Sequence, residues 1–161
     1  MKVLHGREAR IALECLAETV LVAQRADCLR SKCGATIYSL DELIGKGFNS
    51  PPGNDESQRR CLESKDLLHR KVTDKTCCVH AEEMAMIDTL GTNPKKIVGA
   101  RLYFVRLGKN GEPKRSREPY CTLCSKMAVA VGLSEFVLWR EEGVCVYDTK
   151  EYNLLSFKYQ G

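Results

Sequence analysis

The chain has 161 residues, 43% of them hydrophobic and 29% charged, with a formal net charge of +4. That suits one globular domain with one sizeable core and excludes large-scale disorder. No apolar run is long enough to span a bilayer, and Met1 to Arg10 lacks the apolar stretch of a signal peptide, so a cytoplasmic protein with no membrane partner is expected. The charge is too small to choose between an anionic small molecule and nucleic acid. The nine cysteines are an odd count. In a reducing compartment they read as thiols or metal ligands rather than a disulfide framework.

The first periodic stretch runs from about Arg7 to Arg25, with Ala9, Leu13, Leu16, Val20 and Ala23 on one face: an amphipathic helix. Residues 35–40 read as a strand, and Leu43 to Phe48 as its return, interrupted by two glycines. Asn49 to Asn54 is a firm break. Residues 55–76 are polar and read as a long loop with one helical turn, of the kind that carries function. A second helix is predicted from Cys78 or Val79 to Gly91, and a strand from Ile97 to Leu107. The third helix spans Cys121 to Val131 and is closed by Gly132; strands follow at Glu135–Trp139 and Val144–Tyr147. This order predicts an α/β sandwich, a mixed sheet covered by helices, within a single domain over 1–161. The orientation of the last strand stays open.

Two clusters carry chemistry: Cys77-Cys78-Val79-His80-Ala81-Glu82-Glu83, and Pro119-Tyr120-Cys121-Thr122-Leu123-Cys124. Each sits where loop feeds helix. Cys121 and Cys124 share one face of a helical turn, so two thiolates can grip a soft divalent ion, with His80 as a nitrogen ligand. Three protein ligands leave one tetrahedral position for water, the arrangement of a catalytic zinc. Glu82, in the same first turn, can take a proton from that water and deliver it to a leaving group. The blander readings are a redox dithiol at C-x-x-C, or a structural four-cysteine site that includes Cys77 and Cys78. Glu83 reads as a solvated helix residue. The basic cluster Lys109, Lys114, Arg115 and Arg117 reads as a solvated loop, with phosphate contact as its functional alternative.

H-x-E followed by P-C-x-x-C is the signature of zinc nucleobase deaminases. Over nearly its whole length the chain resembles the cytidine and deoxycytidylate deaminase superfamily. The matching stretches are Gly34-Ala35, Gly47-Phe48-Asn49-Ser50-Pro51-Pro52, His80-Ala81-Glu82, and Cys121-Thr122-Leu123-Cys124 with Ser125-Lys126-Met127. The resemblance implies a three-layer α/β/α sandwich with a mixed five-stranded sheet. It also implies a Zn2+ cofactor, a hydrogen bond from Asn49 to a sugar, and a contact from the Ala81 amide to a base carbonyl. One departure is Tyr120, interposed between Pro119 and Cys121 where the family places proline directly before the cysteine; Tyr120 is therefore a candidate to enter the substrate pocket.

Three substrates are open: deoxycytidylate, a free nucleoside or base, and adenosine in tRNA. The long segment between Asn49 and His80 resembles the deoxycytidylate branch. The lack of a strong basic face speaks against a nucleic-acid partner. A non-catalytic zinc-stabilised interaction module is a further alternative, against which the intact Glu82 speaks. A homo-oligomer is expected. Cys61, Cys77, Cys78 and His69 fall in the insertion or at its end, and the resemblance permits a second, structural zinc there. Adjacent Cys77 and Cys78 cannot easily serve one ion, so one zinc per chain is expected, with both cysteines as small buried residues.

Overall fold

The computed structural model describes residues 1–72 and 74–160. Its centre is a mixed sheet in the order β1-β7-β6-β4-β2-β3, with β5 paired to β4. The long strands are β2 (Cys33–Ser39), β3 (Glu42–Phe48), β4 (Arg101–Leu107), β6 (Glu135–Arg140) and β7 (Gly143–Asp148). These are the five expected. The sheet reaches seven strands through two short additions, β1 (Lys2–Val3) and β5 (Pro113–Lys114), each of two residues. Pair β4–β6 is parallel; β6–β7 is antiparallel, which fixes the orientation of the last strand.

Both faces of the sheet are covered. Helix α1 (Gly6–Gln24) buries Ala12, Leu16 and Ala23 against Tyr103, Val105, Val137 and Val146. Helices α2 (Ala81–Thr92), α3 (Thr122–Val131) and α4 (Thr149–Ser156) cover the other face, where Ala85, Met86, Ala128 and Tyr152 meet Leu102, Phe136 and Tyr147. Strand β4 alternates between the two cores, so it reads as a nearly continuous apolar run. Among the described residues, no helix is long and apolar enough to cross a membrane.

Four elements differ from the sequence reading. Helix α4 is absent from it, although Asp148 caps this helix by accepting from the Lys150 and Glu151 amides. Strand β4 starts at Arg101 because Gly99 turns the chain at φ 80° and donates to Gly132 O at 2.8 Å. Helix α2 starts at Ala81 because Val79 is held extended in a β-bridge with Ser50 and His80 is an extended N-cap at ψ 151°. The insertion holds short 3-10 turns at Glu56–Gln58 and Lys65–Leu67 rather than one helical turn.

The two glycines of β3 are the reason α2 lies where it does. A Cβ on Gly47 would stand 2.2 Å from Ala85 N and 2.5 Å from Ala81 O; one on Gly45 would stand 2.9 Å from Ala85 O. The helix backbone therefore rests almost directly on the strand backbone. In the sequence these glycines interrupt a strand; in the fold they are a track for the helix that carries His80 and Glu82.

Candidate active site

The two motif segments meet at one end of the sheet. His80 is the N-cap of α2 and Cys121 the N-cap of α3. His80 Nδ1 lies 3.2 Å from Cys121 Sγ and 3.1 Å from Cys124 Sγ, and the two sulfurs are 2.8 Å apart. Cys121 Sγ also accepts from the Cys124 amide at 3.3 Å. That contact, the Cys124 thiol and His80 hold the Cys121 thiol down near 4, the Cys124 hydrogen bond acting most strongly. These contacts favour the thiolate form of Cys121, the form in which a cysteine binds a metal. Two sulfurs and an imidazole nitrogen converging from two helix starts fit a zinc ion and leave one tetrahedral corner over.

Glu82 is buried, at 7% exposure, and lines the same cavity as His80 and Cys121. Burial raises its carboxyl to about 7; the Cys121 thiolate adds to this and His80 opposes it. A carboxyl near neutrality can both accept and return a proton. Glu83 is not the purely solvated residue that the sequence suggests. Its Oε2 accepts the His80 N–H at 3.1 Å and squares off the first turn of α2.

The cavity has a volume of about 810 Å³. Asn49, Ala81 and Tyr120 line it. The Asn49 side chain is engaged at both ends, accepting from Cys33 N and donating to Ser31 O, each at 2.8 Å. Tyr120 is half exposed and packs 5.5 Å from the Tyr159 ring; burial, then Glu82, pushes its phenol up to about 12. None of Lys109, Lys114, Arg115 and Arg117 lines the cavity. Arg115 is stacked on Trp139 at 4.5 Å and bonds to the Arg140 carbonyl. The cavity's cations come from elsewhere, including Arg60, Lys65 and Arg106.

A second cluster stands on the same cavity. The sulfurs of Cys28, Cys61 and Cys78 lie within 4.8 Å of one another. Cys61 and Cys78 are buried and their sulfurs are 3.8 Å apart. Burial raises the Cys61 thiol, but the Leu29 amide, Cys77, Arg59 and Cys78 outweigh it and bring it down to about 7. Cys77 reaches the Cys61 thiol but falls outside the three-sulfur set; its own sulfur accepts from Arg60 N–H at 2.8 Å and lies 3.8 Å from the Gln58 carbonyl. In the sequence Cys77 and Cys78 stand as rivals for one ion, and nothing there singles out Cys28. Of the two adjacent cysteines, only Cys78 joins Cys28 and Cys61 in the set of sulfurs within 4.8 Å of one another. His69 is not in the cluster; its Nδ1 accepts from Lys71 N.

The matches to known proteins agree with this geometry. The family model of the cytidine and deoxycytidylate deaminase zinc-binding region matches residues 10–139. The chain belongs to the cytidine and deoxycytidylate deaminase family. This deaminase is 30% identical over 125 residues to the deoxycytidylate deaminase of Mycobacterium phage D29, a match covering 74% of the chain and 86% of that relative. Its fold is that of the dCMP deaminase from cyanophage S-TIM5 (TM-score 0.57, 20% identity, 82% of each chain). The cytidine deaminase from Burkholderia pseudomallei shares it too (TM-score 0.55, 17% identity, 92% of this chain and 96% of that one). The deaminase is accordingly a zinc-dependent hydrolase.

Proposed function

We propose that this deaminase converts a cytosine nucleotide, deoxycytidylate foremost, to its uracil counterpart with release of ammonia. The observation that carries the reading is the convergence of the His80, Cys121 and Cys124 donor atoms beside a buried Glu82 on one cavity. In this reading His80, Cys121 and Cys124 hold the zinc, which when bound supplies the Lewis acidity that makes a water nucleophilic at neutral pH. Glu82 takes one proton from that water and gives it to N3 of the ring as C4 is attacked, then takes the remaining hydroxyl proton and delivers it to the departing amine as the C4 carbonyl forms. The Ala81 amide, at the start of α2, holds the base carbonyl; Asn49 and Tyr120 wall the sugar and base.

A nucleotide is favoured over a nucleoside by Arg106. It follows Phe104 on the same face of β4 and lines the cavity. Arg106 forms no ion pair or side-chain hydrogen bond among the described residues. A guanidinium without a partner at a substrate cavity is suited to a phosphate. The phage relative, named as a deoxycytidylate deaminase, supports the same choice. The test compares kcat/KM for deoxycytidylate and deoxycytidine. Wild type should prefer the monophosphate, and Arg106→Gln should lose about ten- to hundredfold on the monophosphate while leaving the nucleoside unchanged. Equal use of both substrates by the wild type would remove the nucleotide from the reading.

The Cys28, Cys61 and Cys78 cluster supports a second, structural ion as part of the same proposal. Three soft donors, two of them buried, gather at the root of the insertion.

A further inference from the structure

Behind His80 runs a hydrogen-bonded chain that neither motif contains. His80 turns Nδ1 to the two sulfurs, and its other ring nitrogen, Nε2, lies 3.2 Å from Thr76 Oγ1. Thr76 Oγ1 donates to Asp74 Oδ1 at 2.7 Å, and the same carboxylate oxygen accepts the Thr76 amide at 2.8 Å. The Cys78 carbonyl competes for the hydroxyl only at 3.4 Å. Asp74 thus holds Thr76 by backbone and side chain together, an Asx turn closed by a second bond.

The direction of this chain follows from the donor inventory. An ionised carboxylate can only accept, so the Thr76 hydroxyl proton points to Asp74. The hydroxyl lone pairs then face the imidazole, and Nε2 is the nitrogen that carries the proton. Nδ1 is left with its lone pair exposed toward Cys121 and Cys124, which is the tautomer a metal needs. Two further contacts keep Thr76 in place: Val79 N–H on Ser50 O at 2.9 Å, and Lys75 Nζ on Lys65 O at 3.3 Å.

We propose that Thr76 and Asp74 are positioning residues that fix the tautomer and ring orientation of His80, so that the insertion braces the catalytic metal ligand from behind. The inference rests on the zinc reading above. It gives part of the 55–76 insertion a role distinct from shaping the cavity.

Release of zinc to a chelating dye tests it, with the ion at His80 identified as the release phase missing from Cys124→Ala. Thr76→Val keeps the shape but cannot accept from Nε2, and should speed that phase about 10–100-fold. Thr76→Ser restores the acceptor and should release zinc as the wild type does. Asp74→Asn keeps an acceptor oxygen but weakens the hold on Thr76, and should fall between them. Unchanged release in Thr76→Val would overturn the inference, as would Thr76→Ser releasing as fast as Thr76→Val. Wild-type protein without zinc would instead overturn the zinc reading and this inference with it.

Discussion

Two sets of soft ligands stand on one cavity, and they differ in what surrounds them. Around His80, Cys121 and Cys124 the chain places a buried carboxylate, Glu82, and a hydroxyl and carboxylate behind the imidazole. Around Cys28, Cys61 and Cys78 it places thiols and the cation Arg59, whose Nη1 lies 3.7 Å from Cys61 Sγ. Beside the first set stands the buried carboxylate of Glu82; among the described residues no carboxylate is buried beside the second. Convergence of metal ligands therefore marks a metal site, and only the added carboxylate marks chemistry. The second set has a mechanical setting instead. Arg59 also pairs with Asp27 and Glu56, and Arg30 donates to the carbonyls of Cys61 and Glu63. The insertion is tied to the segment between α1 and β2 by the same residues that bring Cys28 and Cys61 together.

The largest expected effect separates the clusters directly. Cys124→Ala should reduce deamination to background and remove one zinc. Cys61→Ser should remove one zinc from a wild-type content of two per chain, lower the thermal midpoint, and leave measurable turnover. Elemental analysis beside an activity assay checks both. A wild-type content of one zinc, unchanged in Cys61→Ser, would return the second cluster to three buried thiols. A smaller loss is expected for Glu82→Gln, which keeps the shape but cannot shuttle a proton. Turnover should fall by about two to four orders of magnitude with zinc content unchanged. Near-normal turnover would erase the distinction drawn between the two sites. The smallest effect is expected for Cys77→Ser, since Cys77 lies outside the three-sulfur set. It should keep both ions and change stability by about 1 kcal/mol. Loss of one ion in that variant would make Cys77 a ligand of the second cluster.

The same comparison explains what the sequence could reveal. His80, Glu82, Cys121 and Cys124 lie in two compact segments at helix starts, so local spacing is enough to mark them as one candidate site. Cys28, Cys61 and Cys78 come from three segments separated by β2, β3 and the insertion, and only the folded chain makes them neighbours. Thr76 and Asp74 belong to no spacing pattern at all. The first helix follows from hydrophobic periodicity, and the five long strands and the next two helices from composition and their glycine and proline boundaries. Helix α4 escapes that signal despite a legible Asp148 cap, because its run is short and polar outside Tyr152, Leu154 and Leu155. The basic cluster before Cys121 is exposed and away from the cavity, in keeping with its reading as a solvated loop, and the reason is physical. Trp139 and the carbonyl of Arg140 offer Arg115 a surface partner away from the cavity.

The bare backbone of β3 has a consequence for how this protein tolerates change. At Gly45 and Gly47 every other amino acid adds at least a Cβ, and at Gly47 that atom would overlap the main chain of Ala81 and Ala85. No rotamer relieves such an overlap, because the obstacle is peptide rather than side chain. A substitution there would lift α2 as a rigid body and draw His80 and Glu82 away from Cys121 and Cys124, which are anchored on α3. Gly47, outside the candidate site, should thus tolerate no substitution for a purely spatial reason, while Gly45, whose nearest obstacle is the Thr89 side chain, should be somewhat more forgiving in a variant library.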